Sequence, residues 1–297
     1  MTARQIGSSV FSLQSSVFRL LATLLLLVQS FPASSQDENF GHWAFAPYFG
    51  TGWYSVSNNA DVFVLRVAPR WQFREPSLDA EGKRNTGIEF RFPVTVGVYS
   101  IDLEDVPGII DPDNFGTVQF TPGVEFEVPI NKRWSIKPLF YLGWGAELNG
   151  DQTAVNYAAG IKSRYAFKSG DLDWALVNSL GSIGYSANPG RSEDTVPFLT
   201  GLEFRRPLGN KTIAGERVFL DWHLAYTAYF DDLEFIFGNF SDVKVADEWE
   251  IGIAFSKQKS PLEVWRFSWD RLGLAYRVSG SGDVKGIMLV FRSLFDR

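Results

Sequence analysis

One pair of side chains in this sequence has the types and spacing needed for acid–base chemistry. Asp221 and His223 are separated by one residue, so in an extended strand both lie on the same face. A carboxylate in that position can orient the imidazole ring, and an oriented imidazole is a common general base. We therefore treat Asp221 and His223 as a candidate catalytic pair. The competing interpretation is that both belong to a structural polar network.

The composition leaves little other material for catalysis or cofactor binding. The 297 residues include no cysteine and only two histidines, which excludes disulfides, thiolate nucleophiles and zinc–thiolate sites. No phosphate loop, nucleotide fingerprint or calcium loop is present, so we expect no cofactor and no metal. The net charge of −6 argues against nucleic-acid binding. Clustered carboxylates at 101–116 would suit a hard cation, but a solvated acidic loop explains them more simply: Asp102, Glu104, Asp105, Asp111 and Asp113.

The first 35 residues have the three parts of a secretory signal peptide. Arg4 and Arg19 precede an apolar run at 20–28, and the small residues Ala33 and Ser35 follow it. The run is too short to cross a membrane, because roughly 20 residues are needed to span ~30 Å of hydrocarbon. We expect cleavage after Ser35, a short segment at 36–42 and one domain over 43–297.

From residue 43 onward, apolar and polar residues alternate almost to the end of the chain. A period of two is typical of strands whose two faces meet different environments. The pattern predicts twelve strands, many of them long enough for a tilted membrane crossing. We therefore predict an all-β fold, a transmembrane antiparallel up-and-down barrel of about twelve strands. The predicted strands are 43–56, 63–72, 88–99, 118–128, 134–148, 154–167, 172–185, 195–206, 217–230, 245–255, 269–278 and 284–295.

The two faces of these strands differ in charge and in side-chain size. The polar face carries both signs of charge and many glycines, which suit the concave side of a curled sheet, so we assign it to the lumen. Such charges would either line a narrow pore or close it by pairing across the interior. The predicted lumenal network consists of Arg66, Arg70, Glu89, Arg91, Glu125, Glu127, Lys137, Glu147, Lys162, Arg164, Glu203, Arg205, Arg217, Glu250 and Arg277.

Aromatic residues gather at the predicted strand ends. If the first strand starts in the periplasm, they form two belts, as expected where a barrel wall meets lipid headgroups. A soluble barrel with an aromatic core is the alternative, but core aromatics need not collect at strand ends. The predicted aromatic girdle includes Trp43, Trp71, Trp134, Trp174, Trp249 and Trp269, and Phe295 joins one belt.

On these features the sequence resembles bacterial outer-membrane β-barrels, most of all the solitary autotransporter-like barrels of twelve strands. The final stretch 286–295 alternates and closes on Phe295, and it is similar to the signal read by the barrel-assembly machinery, although Asp296 and Arg297 follow. The resemblance implies a Gram-negative outer membrane, contact with its lipids and lipopolysaccharide, and insertion through periplasmic chaperones and the barrel-assembly machinery. It also implies a barrel without a passenger domain and not an enzyme, either structural or a narrow, porin-like small-solute channel.

An outer-membrane hydrolase is the alternative. The omptin proteases place an Asp-x-His pair opposite an Asp-x-Asp pair, and this sequence contains such triplets at 221–223 and 111–113. The second triplet lies in a predicted loop with a restricting proline, and omptin barrels have fewer strands than are predicted here. Outer-membrane phospholipases and lipid A deacylases pair histidine with a nearby serine, which neither His42 nor His223 has.

Overall fold

A computed structural model describes residues 43–56, 60–99, 116–148, 150–188, 192–235, 243–257, 262–264 and 267–297. The predicted signal peptide at 1–35, the segment 36–42 with His42, and the acidic stretch up to residue 115 lie outside these residues. The predictions for those three segments therefore remain predictions.

Twelve antiparallel strands form one closed sheet. The first four are β1 (Gly52–Val56), β2 (Ala60–Val67 and Arg70–Arg74), β3 (Gly87–Arg91 and Val94–Tyr99) and β4 (Gly116–Phe120 and Gly123–Pro129). The next four are β5 (Trp134–Glu147), β6 (Thr153–Ser169), β7 (Leu172–Asn188) and β8 (Pro197–Ile213). The last four are β9 (Glu216–Phe235), β10 (Val243–Lys257), β11 (Arg271–Ser279) and β12 (Val284–Val290). Beside this wall, the short strand Ser192–Thr195 pairs with β7, and two short hairpins pair Ser77–Leu78 with Arg84–Asn85 and Leu262–Val264 with Phe267–Trp269.

Each strand pairs with the next along the chain, and β12 pairs with β1 to close the barrel, with Met288 opposite Gly52. The predicted all-β, up-and-down barrel of twelve strands is thereby confirmed. We call the end that carries the turns at 130–133, 170–171 and 214–215 the turn rim, and the opposite end the loop rim. Among the described residues, no helix has the length and apolar character needed to cross a membrane.

A line of prolines interrupts three neighbouring strands. Each strand is divided into its two segments by one proline: Pro69 in β2, Pro93 in β3 and Pro122 in β4. Proline has no N–H donor, so the ladder of hydrogen bonds cannot continue through it. One main-chain bond bridges each junction, so the strands stay in contact: Phe92 N donates to Pro69 O at 2.9 Å, Thr121 N to Pro93 O at 3.0 Å, and Leu142 N to Pro122 O at 3.0 Å.

The alternation in sequence becomes an alternation between the outer surface and the lumen. In β10 the outward side chains from Trp249 to Phe255 are 44–55% exposed, whereas Glu250, Gly252 and Ala254 between them are buried. The outer surface of the wall is therefore apolar. The polar side chains point into the barrel, where they are shielded from bulk solvent.

The chain before β1 does not form a strand. Trp43–Tyr48 is a 3₁₀ helix inside the barrel, and Ala44, Phe45 and Ala46 are buried. The prediction of a strand at 43–56 is therefore wrong up to Thr51, and the assignment of the Trp43 side chain to the outer girdle remains a prediction. Consecutive apolar residues around Pro47 suit a segment that is enclosed on all sides, since a wall strand needs one polar face.

The chain after β12 turns into the barrel. β12 ends at Val290, and Leu294 and Phe295 are buried in the lumen, so the predicted strand 284–295 is too long. Phe295 consequently lies inside and not in an aromatic belt at the lipid surface. The physical reason is a set of inner partners for Arg292 and Asp296, among them the carbonyl oxygen of Ala68, to which Arg292 Nη2 donates at 2.8 Å. We call Arg292–Arg297 the lumenal tail.

Candidate functional site

The lumen contains a charge cluster centred on Glu125 of β4, which is 1% exposed. Arg91 Nη2 lies 3.0 Å from Glu125 Oε2, Lys137 Nζ lies 3.7 Å from the same oxygen, and Lys162 Nζ lies 3.6 Å from Oε1. Tyr141 Oη donates to Glu125 Oε1 at 2.7 Å. These partners come from β3, β5 and β6, so the cluster joins four consecutive strands from the inside.

Further carboxylates surround the same cations. Arg91 Nε lies 2.5 Å from Glu89 Oε1, and Lys137 Nζ lies 3.6 Å from Glu127 Oε2. At the turn rim, Arg70 is partly exposed and pairs with Asp270 at 2.8 Å. Because an isolated charge in a confined interior is costly, these pairings are what permits so many ionised groups inside the barrel.

A second cluster lies on β9, β10 and β11. His223 Nε2 is 2.6 Å from Glu250 Oε1, and Arg277 Nη2 is 2.8 Å from Glu250 Oε2. Gly252 lies opposite His223 in the ladder, and a Cβ atom there would be 2.0 Å from His223 Cε1. A glycine at 252 is therefore needed for the imidazole ring to lie flat against the neighbouring strand.

Asp221 does not orient His223, although both lie on the lumenal face as the sequence indicated. Ser256 Oγ donates to Asp221 Oδ2, and Arg205 Nε is 3.7 Å from Asp221 Oδ1. The carboxylate on the imidazole is that of Glu250. Sequence spacing within β9 could not identify this partner, because the contact depends on the register between β9 and β10.

The remaining predicted network residues occupy several environments. Glu203 is buried and pairs with Arg271 at 3.0 Å. Arg66, Glu147 and Arg164 are half-buried on the wall. Arg217 is exposed beside the β8–β9 turn, where it pairs across the hairpin with Thr212, so its assignment to the lumen is wrong. The β8–β9 hairpin extends beyond the closed wall, so the side chains near its turn are exposed to solvent. The alternation of polar and apolar residues does not show where along a strand the enclosed part begins.

The remaining predicted girdle tryptophans lie on the outside of the wall. Trp71, Trp134 and Trp249 are exposed. Trp174 stacks on Phe167 with ring centroids 5.8 Å apart, and Trp269 stacks on Phe291 with centroids 5.2 Å apart. Four of the five lie toward the turn rim, and Trp249 lies toward the loop rim.

The 3₁₀ helix fills the half of the lumen next to the loop rim. Phe45 meets Tyr185 edge-on with ring centroids 5.1 Å apart, and Tyr48 Oη donates to the carbonyl oxygen of Tyr157 at 2.6 Å. Asn156 Nδ2 donates to the carbonyl oxygen of Ala44 and, at 3.0 Å, to Gln119 Oε1. The apolar wall around Phe45 includes Val56, Leu233, Val243, Val245 and Val284.

Replacing Phe45 with alanine is expected to lower the free energy of unfolding by about 3–5 kcal/mol, because it removes a buried aromatic ring from an enclosed apolar pocket. Chemical unfolding of the protein in detergent micelles measures this loss. Phe230→Ala is the matched control, since Phe230 is 71% exposed and its removal should change the free energy by less than about 1 kcal/mol. Equal losses in the two variants would contradict the lumenal placement of Phe45.

The lumenal tail fills the half of the lumen next to the turn rim. Lys137 Nζ lies 2.6 Å from Asp296 Oδ1, and Arg91 Nη1 donates to the Asp296 main-chain oxygen at 2.7 Å. The Arg297 guanidinium pairs with Glu250 and lies 3.2 Å from His223 Nε2. Burial opposes ionisation of Asp296, but Lys137 outweighs it and holds the pKa of this carboxyl below its usual range. The sequence prediction missed both lumenal segments.

These features define a closed twelve-strand barrel whose lumen holds ion pairs and two segments of its own chain. Among solved structures, the fold is similar to the translocator domain of autotransporter NalP from Neisseria meningitidis, with a TM-score of 0.54, 12% identity, and coverage of 80% of this chain and 82% of that chain. It is also similar to the β domain of the Bordetella autotransporter Brka, with a TM-score of 0.50, 14% identity, and coverage of 80% and 92%. No family model and no curated protein matches the sequence. The predicted autotransporter-like barrel is therefore confirmed at the level of the fold.

Proposed function

We propose that this protein is an integral outer-membrane β-barrel that is closed at rest and has a structural role. The observation that carries the proposal is the occupied lumen: the 3₁₀ helix fills one half and the lumenal tail fills the other. A narrow small-solute channel is the second candidate, since some of the lumenal charges are only half-buried.

The outer surface supports placement in a membrane. Large apolar side chains are exposed all around the wall, and a soluble protein would not leave so continuous an apolar surface in water. Exposed tryptophans near both rims match the interfacial belts of outer-membrane barrels. Outer-membrane lipids and lipopolysaccharide are the proposed surroundings, and periplasmic chaperones with the barrel-assembly machinery are the proposed route of insertion.

The size of the barrel supports closure. Barrels of about 8 strands are filled by their own side chains, whereas barrels of about 16 strands leave an aqueous channel. A twelve-strand barrel lies between these limits, so what occupies its lumen decides whether it conducts. Here Arg91, Lys137 and Lys162 reach Glu125 from separate strands, and the lumenal tail spans from Lys137 to Glu250.

We propose no enzymatic activity for the Asp221 and His223 pair. His223 Nε2 already contacts Glu250 and Arg297, and Asp221 is bonded to Ser256. Incubation of the purified protein with peptides, phospholipid and lipid A is expected to give no hydrolysis. Cleavage that is lost in Asp221→Asn and His223→Ala variants with intact folding would instead favour the omptin-like alternative.

Single-channel recording in planar bilayers tests the closed barrel. The unmodified protein is expected to give small or intermittent currents, because the lumen is blocked along both halves. The double variant Arg91→Ala with Glu125→Ala removes a buried pair on β3 and β4 and should raise the current without altering the lipid-facing surface. Large and steady currents from the unmodified protein would contradict closure and favour a diffusion channel.

Membrane placement has a separate test in cell fractionation. The protein is expected in the outer-membrane fraction and should resist extraction by urea in the absence of detergent. Recovery in the soluble periplasmic fraction would contradict the proposed location.

A further inference from the structure

We propose that the half of the lumen next to the turn rim is a peptide-binding site, which the lumenal tail occupies in the resting protein. The ligand class is a short peptide segment with an apolar pair followed by an acidic and a basic residue, as in Leu294-Phe295-Asp296-Arg297. This inference rests on the proposed closed barrel and identifies one of the two segments that close it.

Side chains of the wall hold the lumenal tail in place, as they would hold a bound ligand. Residues 293–297 form no strand pairing, whereas every wall strand has a ladder of main-chain hydrogen bonds. The Leu294 N–H donates to Glu203 Oε1 at 2.9 Å, and Lys162 Nζ donates to the main-chain oxygen of Arg297 at 2.5 Å. Exchange of the tail for another peptide would therefore leave the sheet intact.

An apolar pocket receives the first two residues of the motif. Leu294 and Phe295 pack with Val177 and Ala225, and Leu199 borders the same pocket. A Cβ atom at Gly201 would lie 2.6 Å from Leu294 Cδ1, so glycine at this position gives the leucine its space. On the other side Lys137 Nζ lies 4.2 Å from the centre of the Phe295 ring, a favourable cation–π arrangement.

Two walls of opposite charge receive the last two residues. The side formed by β3, β5 and β6 presents Arg91, Lys137 and Lys162 toward the Asp296 and Arg297 main chain and the Asp296 carboxylate. The side formed by β9 and β10 presents His223 and Glu250 to the Arg297 guanidinium. This polarity fixes the order of the acidic and the basic residue in a ligand.

The wall near Asp296 carries an excess of positive charge that the tail offsets. Four wall cations, Arg66, Arg91, Lys137 and Lys162, lie around three wall carboxylates, Glu89, Glu125 and Glu127, within the described residues. Arg66 Nε is buried there without a hydrogen-bond acceptor. Asp296 supplies a fourth carboxylate, so a vacated site would attract an anionic group.

Calorimetric titration of a truncated protein that ends at Arg292 tests the site. The probe is the acetylated and amidated peptide Ser-Leu-Phe-Asp-Arg, added to the folded variant in detergent micelles. We expect saturable binding of one peptide per barrel, and binding weaker by about tenfold when the peptide carries Asn in place of Asp or Gln in place of Arg. The full-length protein should bind the same peptide at least about tenfold more weakly, because its site is occupied. No binding to the folded truncated protein, or equal binding of all three peptides, would overturn the proposal.

A full-length variant decides the matter if the truncated protein does not fold. Asp296→Lys places a cation against Lys137 and Arg91 and should expel the tail, so this variant is expected to gain peptide binding. Asp283→Lys makes the same charge change at an exposed turn of the loop rim and should bind no better than the unmodified protein. Equal binding by the two variants would overturn the proposal.

Failure of this inference can be told from failure of the proposed function. The titration is done in micelles and depends only on the lumen, whereas closure in a membrane is measured by current through the unmodified protein. A conducting unmodified barrel would contradict the proposed closed state alone. A silent barrel whose truncated form binds no peptide would contradict the peptide site alone.

Discussion

Replacing Arg91 with methionine is expected to destabilise the folded barrel by about 3–5 kcal/mol, because it leaves a buried carboxylate without its closest cation. Arg91 is 1% exposed, and its guanidinium contacts Glu89, Glu125 and the main-chain oxygen of Asp296. The loss is measured as a shift of the denaturant midpoint for the protein folded in micelles. The slope of the transition should stay unchanged, which checks that unfolding remains cooperative.

Two control variants give this prediction its specificity. Lys132→Met alters an exposed charge in the β4–β5 turn and should change stability by less than about 0.5 kcal/mol. Adding Glu125→Gln to Arg91→Met removes the orphaned charge, so the double variant should lose less than the sum of the two single changes. Strictly additive losses would show that Arg91 and Glu125 do not interact across β3 and β4.

Replacing Leu142 with arginine should cost about 2–4 kcal/mol of folding free energy in lipid vesicles if this residue lies near the middle of the bilayer. Leu142 is 50% exposed on the outside of β5, whereas the adjacent Gly143 faces inward, where a Cβ atom would lie 2.4 Å from Phe120 O. Phe73→Arg is the control near the turn rim, and there the cost should fall to about 0–1 kcal/mol. A harmless Leu142→Arg would show that the two faces of the wall had been inverted.

The strand count and the two faces could be predicted from the sequence because both are encoded locally. A period of two appears within any single strand, and each of the twelve wall strands contains enough residues to show it. The residues that close the lumen carry no such signal. In the sequence, apolar and polar residues alternate through Phe295. The chain nevertheless leaves the wall after Val290, because Asp296 pairs inside the barrel with Lys137, which is far away in sequence.

The same distinction applies to the candidate catalytic pair. The spacing of Asp221 and His223 correctly indicates a shared face, since that depends only on strand geometry. The partner of the imidazole is Glu250, and this contact is set by the pairing of β9 with β10 and by the missing side chain at Gly252. Contacts between strands require the register, which a single sequence does not contain.

The two lumenal segments meet different constraints when the cylinder is assembled. The lumenal tail continues from β12, the 3₁₀ helix precedes β1, and these two strands form the seam that completes the sheet. We expect the 3₁₀ helix to be on the inner side when the seam closes, whereas the lumenal tail, which is held by wall side chains, can still exchange after closure. An affinity tag fused after Arg297 would begin inside the cylinder and compete with the tail for its place, whereas a tag inserted at the exposed 214–215 turn would project away from it.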